Sequence, residues 1–261
     1  MKIFAFLATL ALTTTMAMPA WATTFKVGLV TDTGGLNDGS FNYLASQGLA
    51  RAKKTLKVKT SIIESKQFTD YEKNLSQFAA AHYDMVISVG FMMGDATQKV
   101  ASRFSGTNFA IIDFSYPKVL PNIIGVTFAE EQAGYLAGAL AAMQSRTGTI
   151  GFVGGMDVPV IHRFKIGYEA GGKAANPKIN FLSGYTGNFD DPAKGREVAT
   201  AQYQHGADIV FHASGRCGLG VIDAAKAANQ LAIGVDADQH SIAPDHVLSS
   251  ALKRVDLAVY Q

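Results

Sequence analysis

Phe25-Lys26-Val27-Gly28-Leu29-Val30 is followed by the polar loop Thr31-Asp32-Thr33-Gly34-Gly35-Leu36-Asn37-Asp38-Gly39-Ser40. Then comes a stretch, Phe41 to Lys54, with apolar residues at Phe41, Leu44, Ala45, Gly48 and Leu49. A short β-rich run, a glycine-rich polar turn and a helix-period segment together make one strand–loop–helix unit. The same unit recurs downstream. Val58 to Ile63 reads as a strand and Tyr71 to Ala81 as a helix. Met85 to Val89 is a strand ending in Gly90, Ala96 to Phe104 a helix, and Phe109 to Ile112 a strand ending in Asp113. Strands that alternate with helices in this way form a parallel sheet with right-handed crossovers and helices on both faces.

The alternation then restarts. Helices are predicted over Glu131–Gln144, Val160–Ala175, Pro192–His205 and Gly218–Asn229, with strands at Thr149–Val153, Ile179–Leu182, Asp208–His212 and Leu231–Val235. Two α/β sets of about a hundred residues each imply two lobes. The seam is placed near Ile123–Phe128, with lobe one over residues 23–127, lobe two over 128–253, and 254–261 returning to lobe one. Ligands of open parallel sheets bind beyond the carboxyl ends of the strands. In this chain those ends carry Asp32, Gly90, Asp113, Gly154-Gly155, Ser214-Gly215 and Asp236.

Composition narrows the class. The chain has 261 residues, 48% apolar and 17% charged, with a net charge of +2. That balance supports a sizeable core, and without a densely basic segment it argues against nucleic acid as a partner. One cysteine, Cys217, rules out an intrachain disulfide and a cysteine-based zinc site. Residues 1–22 read as a signal peptide: Lys2, an apolar run from Ile3 to Met18, and the small-x-small site Ala20-Trp21-Ala22. No cysteine stands there for lipid attachment. A soluble periplasmic protein is expected, the alternative being an uncleaved membrane anchor.

Several motifs carry less than their spacing suggests. Gly167 to Ala174 matches a phosphate loop except that Ala174 replaces the Ser/Thr for magnesium, and it lies inside a helical stretch. Gly215-Arg216-Cys217-Gly218-Leu219-Gly220 is a strand-to-helix turn. Asp32 and Asp38 echo the calcium cluster of nucleoside hydrolases, but Val30 and Asn37 stand where two further carboxylates belong. The six histidines show no metal spacing. His212, at a strand end, reads equally as a rim residue or a satisfied interior one. Cys217 reads as a packing residue at a helix start. No metal, cofactor or catalytic set is implied. Phe41 and Phe189 each sit in a polar loop, as a staple on the local helix or as a platform facing a ligand.

In this context the chain resembles the basic membrane protein family of ABC-transporter substrate-binding proteins, whose characterised members bind purine nucleosides. The matching stretches are Val27 to Asn42, Gly134-Tyr135-Leu136-Ala137-Gly138, Gly187 to Gly195, Gly234 to Gln239 and Lys253-Arg254-Val255-Asp256. The resemblance implies a type I periplasmic binding protein fold: two Rossmann-like lobes closing on a ligand at a hinge. It further implies that Phe41 and Phe189 sandwich the base and that Asp32 contacts it. Asp113, Asp236 and Lys253 would surround the ribose, and Gly215 would approach the sugar through its backbone. The function implied is capture of an adenosine-, guanosine- or inosine-type nucleoside for a membrane ABC permease, by a monomer that is not an enzyme. A nucleoside-cleaving hydrolase and a receptor for another heterocycle, such as riboflavin, are the rivals. Two departures stand out. Arg216-Cys217 interrupts a turn that is glycine-rich in the family. The family also normally continues past Gln261, so a C-terminally shortened form of the fold is expected.

Overall fold

The computed structural model describes residues 24–118 and 120–261. The signal segment, residues 1–22, lies outside the described residues. The first half forms β1 (Lys26–Thr31), α1 (Phe41–Leu56), β2 (Lys59–Glu64), α2 (Asp70–Ala80), β3 (Met85–Val89), α3 (Gly94–Arg103), β4 (Asn108–Ile112) and β5 (Ile123–Val126). The second half forms α4 (Glu130–Gln144), β6 (Thr149–Gly154), α5 (Pro159–Ala175), β7 (Asn180–Tyr185), α6 (Pro192–Gln204), β8 (Ile209–Ala213), α7 (Cys217–Ala228), β9 (Leu231–Asp236), β10 (Val247–Leu252) and α8 (Val255–Tyr260). Both five-stranded sheets are parallel throughout, in the orders β2-β1-β3-β4-β5 and β7-β6-β8-β9-β10. The second sheet thus repeats the strand order of the first.

The central strands are apolar because helices cover both faces. Residues 27–31 of β1 and all five residues of β8 are buried, whereas the edge strands β2 and β7 are half-exposed. One core gathers Ile150, Phe152, Phe164, Tyr168 and Phe211 in the second sheet. Two others flank the first: Leu75, Phe78 and Phe109 on one face, and Leu29, Leu49, Ile87, Val255 and Val259 on the other. Val255 and Val259 bring α8 onto α1, where a Cβ at Gly48 would lie 2.3 Å from the Asp256 carbonyl oxygen. The glycines of the phosphate-loop-like stretch serve a similar close approach. A Cβ at Gly171 would lie 1.9 Å from the Tyr135 oxygen, and one at Gly138 1.9 Å from the Tyr168 oxygen. These glycines let α4 and α5 pack backbone to backbone.

Two strands and one helix escape the sequence reading. Ile123–Val126, read as a seam, is the fifth strand of the first sheet; the chain leaves that sheet only over residues 127–129. Only Ile123 of β5 is buried, so no periodicity marks it. In β10 the serines 249 and 250 and a register shift between Val247 and Ser249 hide the strand. α8 has six residues, too few for a helical period to show. Among the described residues no helix is long and apolar enough to cross a membrane.

Candidate functional site

The carboxyl ends of the two sheets face one cavity, the place where open parallel sheets take up their ligands. Asp32, Phe41, Asp113, Phe189, Gly215, Asp236 and Lys253 all line it. Gly90, placed by the sequence at the rim of the first sheet, lines it too, and sequence reasoning missed several others, among them Asn42, Phe91 and Phe164.

The first loop presents Asp32 and Phe41. Asp38 accepts from the backbone N–H groups of Ser40, Asn42 and Tyr43 and from Asn42 Nδ2. It therefore caps α1, satisfying donors that helix starts leave orphaned. With its oxygens so engaged, Asp38 is not free for calcium, and among the described residues no cluster of His, Cys, Asp or Glu is placed to hold a metal. Asn42 turns its Nδ2 to Asp32 Oδ1 at 2.7 Å, and Gly34 N–H donates to the same oxygen at 2.9 Å. Asp32 Oδ2 points to the Gly90 side, where a Cβ would lie 2.9 Å away. The Oδ1 of Asn42 is buried and has no protein partner.

Asp113 and Asp236 occupy the same station in the two sheets, at the ends of β4 and β9. Both have left-handed backbones, φ 67° and 63°, a conformation that Asp tolerates better than most residues. The Lys253 ammonium lies 2.6 Å from Asp113 Oδ2 and 2.9 Å from Glu130 Oε1. It also sits 4.9–5.6 Å from the ring centroids of Phe128, Phe41 and Phe164. Glu130 in turn accepts from Arg163 Nε at 2.6 Å. Glu130 and Arg163 are 33 positions apart, and no motif links them in the sequence.

Burial governs the acids. It pushes the Asp32 carboxyl up to about 7, against the donors Asn42 and Gly34. It does the same to Asp236, up to about 7, with Lys253 and the Ser40 hydroxyl opposing. Asp113 is raised by burial and partly held back by Lys253. Burial would lower Lys253, but Asp113, Asp236 and Glu130 outweigh it and hold the ammonium above its ordinary value. An acid whose pKa rises from 3.8 to about 7 on folding binds more protons folded than unfolded. Its stabilising contribution is complete below pH ~4 and is lost as the pH climbs through about 7. We expect Asp32→Asn to raise the melting temperature of the free protein most at pH 8, by less at pH 5, and to leave it nearly unchanged only below pH ~4, as read by calorimetric melts across that range.

Phe189 enters from the loop after β7. Its ring meets Phe91 edge-on, with centroids 6.0 Å apart at 74°. A Cβ at Gly155 would lie 2.1 Å from Phe189 Cε1, and Gly215 lies against the Phe189 backbone and Cβ. Gly155→Ala must therefore displace the ring. It is expected to weaken binding several-fold with little change in melting temperature, a split that titration and melting of the same sample would reveal. His212 proves to be an interior residue: it donates from Nε2 to Gln239 Oε1 at 2.9 Å, and burial lowers its pKa to about 4. Cys217 is buried, its thiol donating to Asn188 Oδ1 at 3.1 Å, and burial raises its pKa. It packs, as its position at a helix start suggests.

A family model described as ABC transporter substrate-binding protein PnrA-like matches residues 25–261. The chain is 37% identical to basic membrane protein A of Borreliella afzelii over 88% of its own length and 71% of that protein. It is 36% identical to the ABC transporter nucleoside-binding protein BmpA of Lactococcus lactis subsp. cremoris, covering 91% of this chain and 73% of that one. The crystal structure of an ABC transporter solute-binding protein from Aeropyrum pernix K1 superposes with a TM-score of 0.85 at 32% identity, over 90% of this chain and 69% of that chain. The two parallel five-stranded lobes around one cleft are the α/β periplasmic binding protein fold, and the chain belongs to the PnrA-like family of ABC transporter substrate-binding proteins.

Proposed function

We propose that the protein binds a purine nucleoside of the adenosine, guanosine or inosine type between its lobes and presents it to an ABC permease. The observation that carries this reading is the meeting, in one cavity, of Phe41 and Phe189 from opposite lobes with Asp32, Asp113, Asp236 and Lys253. Flat heterocycles stack on phenyl rings. A carboxylate accepts from both hydroxyls of a ribose. Asp32 and the unpartnered Asn42 Oδ1 offer two acceptors to the donor edge of a base. Among the described residues lining the cavity the one ammonium, Lys253, is already engaged by Asp113 and Glu130, so a phosphate would meet carboxylates there without a free cation. The name of the Lactococcus relative points the same way.

Gly215 stands by the sugar in this reading. Binding, with no chemistry on the ligand, is the protein's whole task. The family's members work outside the cytoplasm; for this chain we assign the periplasm, export by residues 1–22, and a monomer. Lobe one comprises residues 23–127 with 254–261 returning to it, and lobe two residues 128–253. Titration calorimetry with inosine, guanosine, adenosine, inosine monophosphate and riboflavin tests the reading. A nucleoside is expected to bind at least ~100-fold more tightly than the monophosphate, the scale of a buried charge left without a partner. Failure of all three nucleosides, or equal binding of the monophosphate, rejects it, and tight binding of riboflavin alone moves the assignment to the flavin.

A further inference from the structure

The loop before Phe41 is gripped by the opposite lobe at two points. Ser40 Oγ donates to Asp236 Oδ2 at 2.5 Å. Gln239, only 1% exposed, donates from Nε2 to the Gly39 carbonyl oxygen at 3.3 Å. The orientation of the Gln239 amide follows from its surroundings. Val235 N–H can only donate, and it reaches Gln239 Oε1 at 3.0 Å. That fixes Oε1 as the acceptor and leaves the NH₂ group facing lobe one. His212 Nε2, 2.9 Å from the same oxygen, must then carry its hydrogen. The neutral ring, lowered to about 4 by burial, suits that role. The Gln239 backbone N–H is held by Ser250 Oγ at 3.0 Å. Space for the amide exists because residue 234 is glycine, whose Cβ would lie 2.5 Å from Gln239 Oε1. Both hydrogen bonds to its Oε1 come from lobe two, and one N–H of its NH₂ group reaches across to lobe one.

We infer that Gln239, oriented by Val235 and His212, is a latch that holds the lobes closed by its bond to Gly39, and that it sets how long the ligand is retained. It lies outside the residues lining the cavity, so it acts on retention by positioning the Gly39–Phe41 loop. The inference rests on the nucleoside reading for its probe.

Gln239→Glu separates a latch from a merely structural residue. The carboxylate still accepts from Val235 N–H and from His212, so the interior of lobe two keeps its bonds. An ionised Glu cannot donate to the Gly39 oxygen, and a protonated one can. Inosine release is followed by stopped flow for the wild type and the variant between pH 5 and pH 8.5. His212, Asp236 and Asp38 titrate around the contact, and a carboxylate at position 239 couples to His212 across 2.9 Å, so the pH at which the ratio falls belongs to that pair. At pH 8.5 the variant is expected to release inosine about tenfold faster or more, as befits a buried acceptor left unpaired. The ratio should fall toward one at pH 5. A ratio of one throughout, or one raised equally at every pH, overturns the latch.

Spin labels on Lys66→Cys and Lys194→Cys, both exposed, give the lobe-to-lobe distance with or without inosine; Cys217 is buried and stays unlabelled. If the wild type ignores inosine, the nucleoside reading fails, and the latch is judged on the ligand-free protein. There the short-distance population should shrink in the variant at pH 8.5 and return at pH 5. No such population in the wild type, or equal populations in both proteins, overturns it.

Discussion

Replacing Lys253 with Met lowers the melting temperature by roughly 6–20 °C at neutral pH. Removing one partner of a buried ion pair costs roughly 3–5 kcal/mol, and in a protein of this size each kcal/mol shifts the midpoint by roughly 2–4 °C. The ammonium is nearly inaccessible and stands between Asp113 and Glu130. Methionine fills similar volume and keeps contact with the rings of Phe41, Phe128 and Phe164, but it leaves the carboxylates facing one another. Protonation relieves that repulsion, because burial already raises the Asp113 pKa. The deficit should therefore narrow as the pH drops toward 4. Scanning calorimetry of both proteins across pH 4–8 checks this, and a pH-independent deficit of a degree or two would show that the ion pair contributes little.

The second large effect concerns the phenyl rings. Phe189→Ala is expected to weaken nucleoside binding by about tenfold to a hundredfold, since stacking on one aromatic is worth roughly 1–3 kcal/mol per base. Phe41→Ala should cost a similar factor. It should also lower the melting temperature, because Phe41 packs on the core that holds Leu29, Leu49 and Val255. Phe189 rests on the rim of the other lobe's core and against Phe91, so its removal should leave the melt of the free protein almost unaltered. Calorimetric titration with inosine, paired with thermal melts, reads both quantities. Wild-type affinity in both variants would remove the sandwich from the assignment.

The alternation of strands and helices was legible because buried parallel strands are short apolar runs and the helices show a clear period. Where an element has one buried residue, as in β5, or carries paired serines, as in β10, the pattern falls below notice. Residues lining the cavity were partly legible for a topological reason: Asp32, Asp113 and Asp236 follow strands whose carboxyl ends must converge. The choice between staple and platform for Phe41 and Phe189 did not follow from spacing. The platform reading we propose rests on the resemblance and on a cavity that both rings line. Side chains that act across long separations were out of reach. Glu130 meets Arg163 and Lys253, and Phe91 meets Phe189, through folding alone. Gln239 lay inside a quoted motif, yet only the direction of its amide gave it a role.

Asp113 and Asp236 hold matching stations in two sheets of identical strand order, each on a left-handed turn. Lys253 neutralises the one acid, while the other turns toward the Ser40 hydroxyl. The two stations match in backbone and differ in company, so the cavity sets a cation beside one carboxyl and a hydroxyl beside its counterpart.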